Sequence, residues 1–114
     1  MKRTAAIALA AALLPAGCSS TPPPTPLDQL DAQQTAGHAV YQRYCASCHR
    51  DRTTGDLHGP SMAGLYKKKY LPSGAPANDE RVATCIVHGR NMMPPTPPLT
   101  DEQMQALMAY LHTL

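Results

Sequence analysis

Apolar residues recur at helical spacing in three parts of the chain. In the first part, Gly37, Val40, Tyr41 and Tyr44 follow the i, i+3, i+4, i+7 spacing that places side chains on one face of a helix. A similar apolar stripe near the carboxyl end consists of Met104, Leu107, Met108 and Leu111. The pattern predicts three helices, over residues 33–45, 79–88 and 101–114.

Local signals at the helix ends support two of these segments. Asn78 is a suitable N-cap for the second helix, and Gly89 is a suitable stop. Thr100 and Gln103 have the spacing of a capping box at the start of the third helix. A short helical turn is expected within residues 61–69, and no stretch is convincing as a strand. The fold class is therefore predicted to be all-α.

The first 17 residues are expected to lie outside the fold. Lys2 and Arg3 give a positive start, and residues 5–14 form an apolar run. This run is too short to span a bilayer, which takes about 20 residues. It indicates an export signal, so residues 1–17 are predicted to be a signal peptide.

Residues 14–19 resemble a bacterial lipoprotein signal, in which the cysteine becomes the new N-terminus and carries lipid. Pro15 departs from that pattern, because the usual leucine stands one place early, at Leu14. We expect lipidation of Cys18 and a position on the periplasmic side of a bacterial membrane. Ser19 weakly favours the outer membrane. The alternative is ordinary cleavage nearby, which leaves a soluble periplasmic protein.

A proline-rich segment follows the lipidation signal. Pro22, Pro23, Pro24 and Pro26 predict an extended tether over residues 18–34. A polyproline II segment rises about 3.1 Å per residue, so 12 residues would reach on the order of 40 Å. The remaining chain, residues 35–114, is predicted to be one small domain held off a membrane surface.

The charge balance depends on the export signal. The full chain has 10 basic and 8 acidic residues, and removal of Lys2 and Arg3 leaves 8 of each. The basic balance of the precursor therefore does not indicate a nucleic-acid partner. A local lysine cluster (Lys67, Lys68 and Lys69) remains. It is either a solvated face or a surface that steers an acidic redox partner.

The candidate chemistry lies in residues 45–49, Cys-Ala-Ser-Cys-His. This is C-x-x-C-H, the attachment motif for a c-type haem. Residues three apart on a helical turn share one face, so two thiols can each form a thioether to one porphyrin edge. His49 follows directly and can reach the iron. A thioredoxin-like redox pair needs a βαβ pattern, which the sequence lacks. A zinc site needs further ligands at suitable spacing, and none is present.

The composition of the domain is consistent with a central cofactor. The chain contains no Trp, no Phe and 5 Tyr. A domain of this size with so few large aromatic residues would be marginally stable alone, and a buried haem would supply apolar bulk.

Cys85 is left without a role once Cys18 is assigned to lipid and Cys45 and Cys48 to haem. A buried free thiol is the simpler interpretation, since unpaired cysteine behaves as a small hydrophobic residue. An intermolecular disulfide is the alternative, because an exported protein permits it.

The sixth iron ligand has several candidates among the methionines and histidines. Met93 differs from the others because it precedes a run containing four prolines, Pro-Pro-Thr-Pro-Pro. A residue before proline is restricted to extended geometry, so such a segment would hold a thioether sulfur at a fixed point. Thioether sulfur suits haem iron. Met92 is an alternative by a shift of one residue. Met104 and Met108 are expected to pack in the core.

Taken together, residues 35–114 resemble a class I cytochrome c, a small monohaem electron carrier of bacteria. Gly37 and Tyr41 stand eight and four residues before Cys45, as is common in that family. Three later segments also match, namely a G-P-x-x-x-G-L loop over residues 59–65, a G-x-x-x-M-P segment over residues 89–94 and a closing helix over residues 99–111.

The resemblance implies a fold of three main helices around one covalently attached haem c, with specific residue roles. Cys45 and Cys48 would bind the haem, while His49 and Met93, rather than Met92, would be its axial ligands. The carbonyl of Pro60 would accept a hydrogen bond from the second ring nitrogen of His49. Gly37 would let the first and last helices cross closely. The sequence offers only Arg50, Arg90, Tyr66 and Tyr70 as guesses for the haem propionates.

The implied function is electron transfer outside the cytoplasm, not enzyme catalysis. The partners would be other redox proteins and a membrane through the lipid anchor, with no nucleic acid and no small-molecule substrate. Two alternatives remain open. In the first, the chain is a haem subunit of a dehydrogenase or oxidase complex. In the second, it is a haem module that reacts with gas or peroxide at a labile sixth position.

Overall fold

The computed structural model describes residues 21–114, which contain three α-helices and two short 3₁₀ turns. The helices are α1 (Ala32–Tyr44), α2 (Asp79–His88) and α3 (Asp101–Leu111), and the turns are Leu27–Gln29 and Leu65–Lys67. Within this part of the chain, β pairing consists of two isolated bridges. The predicted all-α class and the three helices are confirmed. The predicted signal peptide and Cys18 lie outside the described residues.

Helix α1 begins with a capping box that the sequence analysis did not identify. The Asp31 carboxylate accepts the backbone N–H of Gln34 at 2.8 Å, and the Gln34 side chain accepts the N–H of Asp31 at 3.0 Å. Two backbone donors that a helix leaves without partners are thereby satisfied. The helix therefore starts at Ala32, one residue earlier than predicted.

The predicted ends of the other helices agree with the structure at three of four positions. The Asn78 side chain accepts the N–H of Arg81 at 3.0 Å. Thr100 and Gln103 form the expected capping box, with N···O distances of 2.9 and 3.2 Å. Gly89 ends α2 with φ of 69°, a value that favours glycine. Helix α3 is shorter than predicted, since it ends at Leu111 and is followed by a turn.

The core is built where α1 crosses α3. A Cβ atom added to Gly37 would lie 2.8 Å from the Cβ of Tyr110 and would overlap the carbonyl group of Ala106. Only a residue without a side chain allows the two backbones to approach so closely. The expected close crossing at Gly37 is confirmed. The apolar faces of both helices are buried at this crossing and include Val40, Tyr41, Leu107, Tyr110 and Leu111.

Two buried tyrosines link the crossing to the segment after the C-x-x-C-H turn. The rings of Tyr41 and Tyr110 meet edge to face, with centroids 5.6 Å apart. The Tyr110 hydroxyl donates to the Asp51 carboxylate at 2.6 Å. Burial is the main cause that raises the pKa of both tyrosines above the ordinary range, and for Tyr110 the bond to Asp51 is the next cause.

The described part of the proline-rich segment lies on the domain. We call residues 21–31 the N-terminal arm. The backbone N–H of Thr25 donates to the carbonyl of Thr113 at 2.8 Å, and the Arg52 guanidinium donates to the carbonyl of Thr25 at 2.6 Å. Leu30 packs against the core. The sequence predicts an extended tether over residues 18–34, but it does not reveal where the donors and acceptors of a proline-rich segment find partners. No helix within residues 21–114 is long and apolar enough to cross a membrane.

Gly37→Ala is expected to lower the free energy of unfolding by about 3 kcal/mol, despite the better helix propensity of alanine. The added methyl group forces α1 away from α3, which opens the core. Chemical denaturation followed by circular dichroism measures the change.

Gly74→Ala is a control for the added methyl group, because nothing lies within 4 Å of its added Cβ. Its φ of 82° still gives it a conformational cost of about 1–2 kcal/mol. A Gly37→Ala variant as stable as the parent protein would contradict the close crossing.

The free energy of unfolding is expected to fall above pH 10. In this pH range Tyr41 and Tyr110 ionise in the unfolded state but stay protonated in the folded state. Their contribution is complete below the unfolded pKa of about 10 and is lost as the pH rises toward the folded pKa. Each tyrosine accounts for a slope of up to about 1.4 kcal/mol per pH unit.

Denaturation at several pH values between 8 and 11 tests this prediction. Tyr110→Phe should lower the stability at pH 8 by about 1 kcal/mol, because the bond to Asp51 is lost. It should also flatten the decline above pH 10, and an unchanged slope would contradict the assignment.

Candidate haem site

A cavity of about 650 Å³ lies beside the C-x-x-C-H turn. This volume is within the range of about 300–1,000 Å³ typical of cofactor and ligand sites. Its apolar walls come from every helix and from the loops between them. The apolar lining residues include Leu65, Leu71, Val82, Ile86, Leu107 and Leu111, and the residues with candidate ligand or attachment roles are Cys45, Cys48, His49, Pro60 and Met93.

The turn after α1 brings both motif cysteines to the cavity. The N–H of Cys45 continues the helix ladder to the carbonyl of Tyr41 at 2.8 Å. The Cys45 carbonyl then accepts the N–H groups of Cys48 and His49, at 3.0 and 2.9 Å. Neither cysteine forms a disulfide. Burial, and to a lesser extent the neighbouring Cys48, raises the pKa of Cys45 to about 11.

Hydrogen bonds fix both the ring and the backbone of His49. Its Nδ1 lies 2.8 Å from the Pro60 carbonyl oxygen, and the Tyr41 hydroxyl donates to the His49 carbonyl at 2.8 Å. Because a carbonyl oxygen only accepts, Nδ1 carries the proton and Nε2 keeps its lone pair. This tautomer leaves Nε2 available as a metal ligand in the cavity.

Gly59 makes room for the His49 ring. A Cβ atom at this position would lie 2.8 Å from His49 Nδ1 and still closer to the adjacent ring carbon. The φ of Gly59 is not positive, so the requirement for glycine here is steric. The N–H of Gly59 also donates to the Cys48 carbonyl at 2.8 Å, which ties the loop to the cysteine turn.

The proline-rich strap, residues 89–98, brings Met93 to the cavity through a tight turn. The backbones of Arg90 and Met93 exchange two hydrogen bonds of 2.9 Å, and Asn91 has φ of 52°. A Cβ at Gly89 would fall within 2.9 Å of backbone atoms of Pro94 and Pro95. Farther along, the N–H of Thr96 donates to the carbonyl of Ile86 at 2.9 Å. The strap is therefore packed and hydrogen-bonded against the end of α2.

The methionines occupy different environments. Met92 reaches the rim of the cavity but is 98% exposed, whereas Met93 is partly buried in the lining. Met62 also lines the cavity, and its N–H donates to the Arg50 carbonyl at 2.7 Å. Met104 and Met108 pack against the core, as expected from the stripe on α3.

The four residues suggested for haem propionates do not gather at the cavity. Arg90 lines it, whereas Arg50, Tyr66 and Tyr70 are not part of the lining. The Tyr66 ring instead stacks on His112 at a centroid distance of 3.8 Å.

Three features of the site were not evident from the sequence. The first is the hydrogen bond from the Tyr41 hydroxyl to the His49 carbonyl. The second is the close contact between Gly59 and the His49 ring. The third is that Cys85, a free and partly buried thiol, lines the same cavity. The G-P dipeptide beside His58 was the available signal for the second feature.

The residues of the cavity fit a covalently attached haem. Two thiols are available for thioether attachment to the porphyrin edge, and the His49 imidazole and the Met93 thioether are ligand types that suit haem iron. Most of the remaining walls are apolar. Within residues 21–114, no group of three or more His, Cys, Asp or Glu side chains is placed to hold a metal ion directly.

Comparison with known proteins identifies the family. A family model described as cytochrome c oxidase, cbb3-type, subunit III matches residues 32–111. The chain therefore belongs to this cytochrome c family. Membership implies covalently bound haem c and electron-transfer chemistry.

A curated relative is similar over part of its length. Cytochrome c oxidase subunit 2 of Alkalihalophilus pseudofirmus is 31% identical over 84 residues, which cover 68% of this chain and 25% of the relative. The chain thus spans about a quarter of the length of that protein.

Gly59→Ala is expected to displace the His49 ring, because the methyl group occupies the space of Nδ1 and its neighbouring carbon. The bond to Pro60 is lost, and the histidine no longer presents Nε2 at a fixed position. The ratio of haem absorbance to polypeptide in the purified protein should fall severalfold.

Gly55→Ala is a suitable companion variant, since its Cβ has no heavy atom within 4 Å, although its φ of 97° adds strain. A normal haem content and an unchanged spectrum in Gly59→Ala would show that the contact with His49 does not position the ring.

Proposed function

We propose that the protein is a monohaem cytochrome c that passes single electrons between redox proteins outside the cytoplasm. The haem supplies an iron that alternates between the ferrous and ferric states. Cys45 and Cys48 would attach it, and His49 Nε2 and the Met93 sulfur would bind its iron.

One observation carries this proposal. Met93 lines the same cavity as Cys45, Cys48 and His49, although 44 residues separate it from His49 in the chain. Met92, the neighbouring candidate, is 98% exposed. The strap therefore offers one partly buried thioether to the cavity, and it does so through a turn whose backbone is hydrogen-bonded on both sides.

The chain's own residues support electron passage. Two protein ligands would fill both axial positions, which would leave no place for a substrate. The cavity walls are largely apolar, and the bond from His49 to Pro60 strengthens the histidine as a ligand. A His/Met pair also raises the reduction potential relative to two histidines.

The proposed setting is the periplasmic face of a bacterial membrane. Residues 1–17 would be removed on export, Cys18 would carry lipid, and the outer membrane is slightly favoured. Other redox proteins would be the partners, through small and brief interfaces. The bounds of the tether (residues 18–34) and of the cytochrome domain (residues 35–114) belong to the same proposal, with the N-terminal arm lying on the domain.

A second candidate function is that of a permanent haem subunit in an oxidase complex. The matching family and the relative are both cytochrome c oxidase subunits. Purification from native membranes in mild detergent distinguishes the two. Stoichiometric partner chains support the subunit, and a chain recovered alone supports the mobile carrier.

Met93→Ala is expected to abolish the weak near-infrared absorption band of methionine-ligated ferric haem and to lower the reduction potential. Met92→Ala should leave both unchanged, because the Met92 side chain lies in solvent. Absorption spectroscopy and redox titration of the purified holoproteins provide the measurement.

Carbon monoxide gives an independent check of the sixth position. The reduced parent protein should bind it slowly or incompletely, and Met93→Ala should bind it rapidly. Rapid, complete binding by the parent protein would overturn the Met93 assignment and favour a module that reacts with gas or peroxide.

A further inference from the structure

The N-terminal arm and the lysine cluster meet on one face of the domain. Thr21 lies against Gly64, where an added Cβ would collide with the Thr21 methyl group. Gly64 is buried, with φ of 69°. The N–H of Lys67 donates to the Gly64 carbonyl at 3.0 Å. Thr21, the first described residue of the arm, therefore contacts the residue to which the first of the three lysines is hydrogen-bonded.

The three lysines differ in how their ammonium groups interact with the rest of the domain. The Lys67 ammonium donates to the Leu114 carbonyl at 2.9 Å, and the Lys69 ammonium lies 5.3 Å from the Tyr70 ring centroid. Lys68 and Lys69 are exposed. The face therefore presents positive charge on a loop whose backbone is fixed.

The arm is attached to the domain at two further positions, Thr25 and Leu30. Thr25 is held from both sides, by Thr113 and by Arg52, and Leu30 packs on the core. Thr21 stands three positions after Cys18, and each position adds at most about 3.6 Å. A lipid on Cys18 would therefore enter a bilayer within roughly 11 Å of the position of Thr21.

We propose that the surface around the contact of Thr21 with Gly64, together with the lysine cluster that follows Gly64 in the chain, rests on a bilayer surface that contains anionic lipid. The inference rests on the lipidation of Cys18 in the proposed function and adds an orientation to it. A lysine near an anionic membrane is attracted strongly enough to change binding about fivefold. A lipid chain combined with a basic patch is also an effective anchor. The domain would then lie on the membrane with one face down, close to the surface.

The experiment uses the full-length lipidated holoprotein, purified from membranes and inserted into vesicles. One set of vesicles contains phosphatidylcholine alone, and the other also contains phosphatidylglycerol. Both carry a fluorophore on a lipid headgroup, which the haem quenches at short range. Quenching should be stronger in the anionic vesicles, and added salt should lower it to the level of the neutral ones.

Matched variants separate the cluster from general charge effects. Lys68→Gln combined with Lys69→Gln should remove the difference between the two lipids. Arg81→Gln, which removes an exposed positive charge on α2, should retain it. Thr25→Pro removes the donor to Thr113 and should weaken quenching in the anionic vesicles, because the arm no longer holds the face near the lipid.

The outcomes are distinct. A protein that separates from both kinds of vesicle refutes the lipid anchor, and this inference falls with it. A protein that stays bound but is quenched equally in both lipids overturns the inference alone. Salt-sensitive binding of Lys68 and Lys69 to an acidic redox protein, with no lipid effect, assigns the cluster to a protein partner and also overturns it.

Discussion

The close approach of α1 and α3 at Gly37 is the constraint on which the rest of the molecule depends. The crossing fixes the direction of α1, and the C-x-x-C-H turn follows directly from the end of that helix. Tyr41, one turn further along the same face, packs on Tyr110 and donates to the backbone of His49. The packing of α1 against α3 thus determines where His49, a candidate iron ligand, lies.

The loop after the motif completes this arrangement. It returns Gly59 and Pro60 to His49, so that one residue leaves space for the ring and the carbonyl of the next accepts a hydrogen bond from it. The loop is tied to the motif again by bonds from Gly59 to Cys48 and from Met62 to Arg50. A histidine held at both its backbone and its ring loses little freedom when it becomes a ligand.

The helices were predictable from the sequence because their signals are local. The apolar spacing around Val40 and Leu107, and the caps at Asn78 and Thr100, act within a few residues of where they stand. The C-x-x-C-H spacing is likewise local and predicted the chemistry of the cavity, although its ligand set remains a proposal.

Contacts between distant segments were not predictable in the same way. The course of the N-terminal arm depends on Thr25 meeting Thr113, which are 88 positions apart, and no pattern near either residue indicates the contact. Cys85 has no motif, so its place in the cavity wall depends on the packing of α2. The sequence singled out Met93 through its prolines, but the exposure of Met92 became visible only in three dimensions.

The strap that carries Met93 has a consequence for recognition. It is joined to the domain at Gly89, through the paired backbones of Arg90 and Met93, and through Thr96, and its prolines have no N–H with which to form alternative bonds. We expect such a wall to keep its shape when the charge of the centre behind it changes by one unit. Under the proposed electron-transfer function, a docking protein would then find the same surface in both oxidation states, and donor and acceptor could bind it in turn.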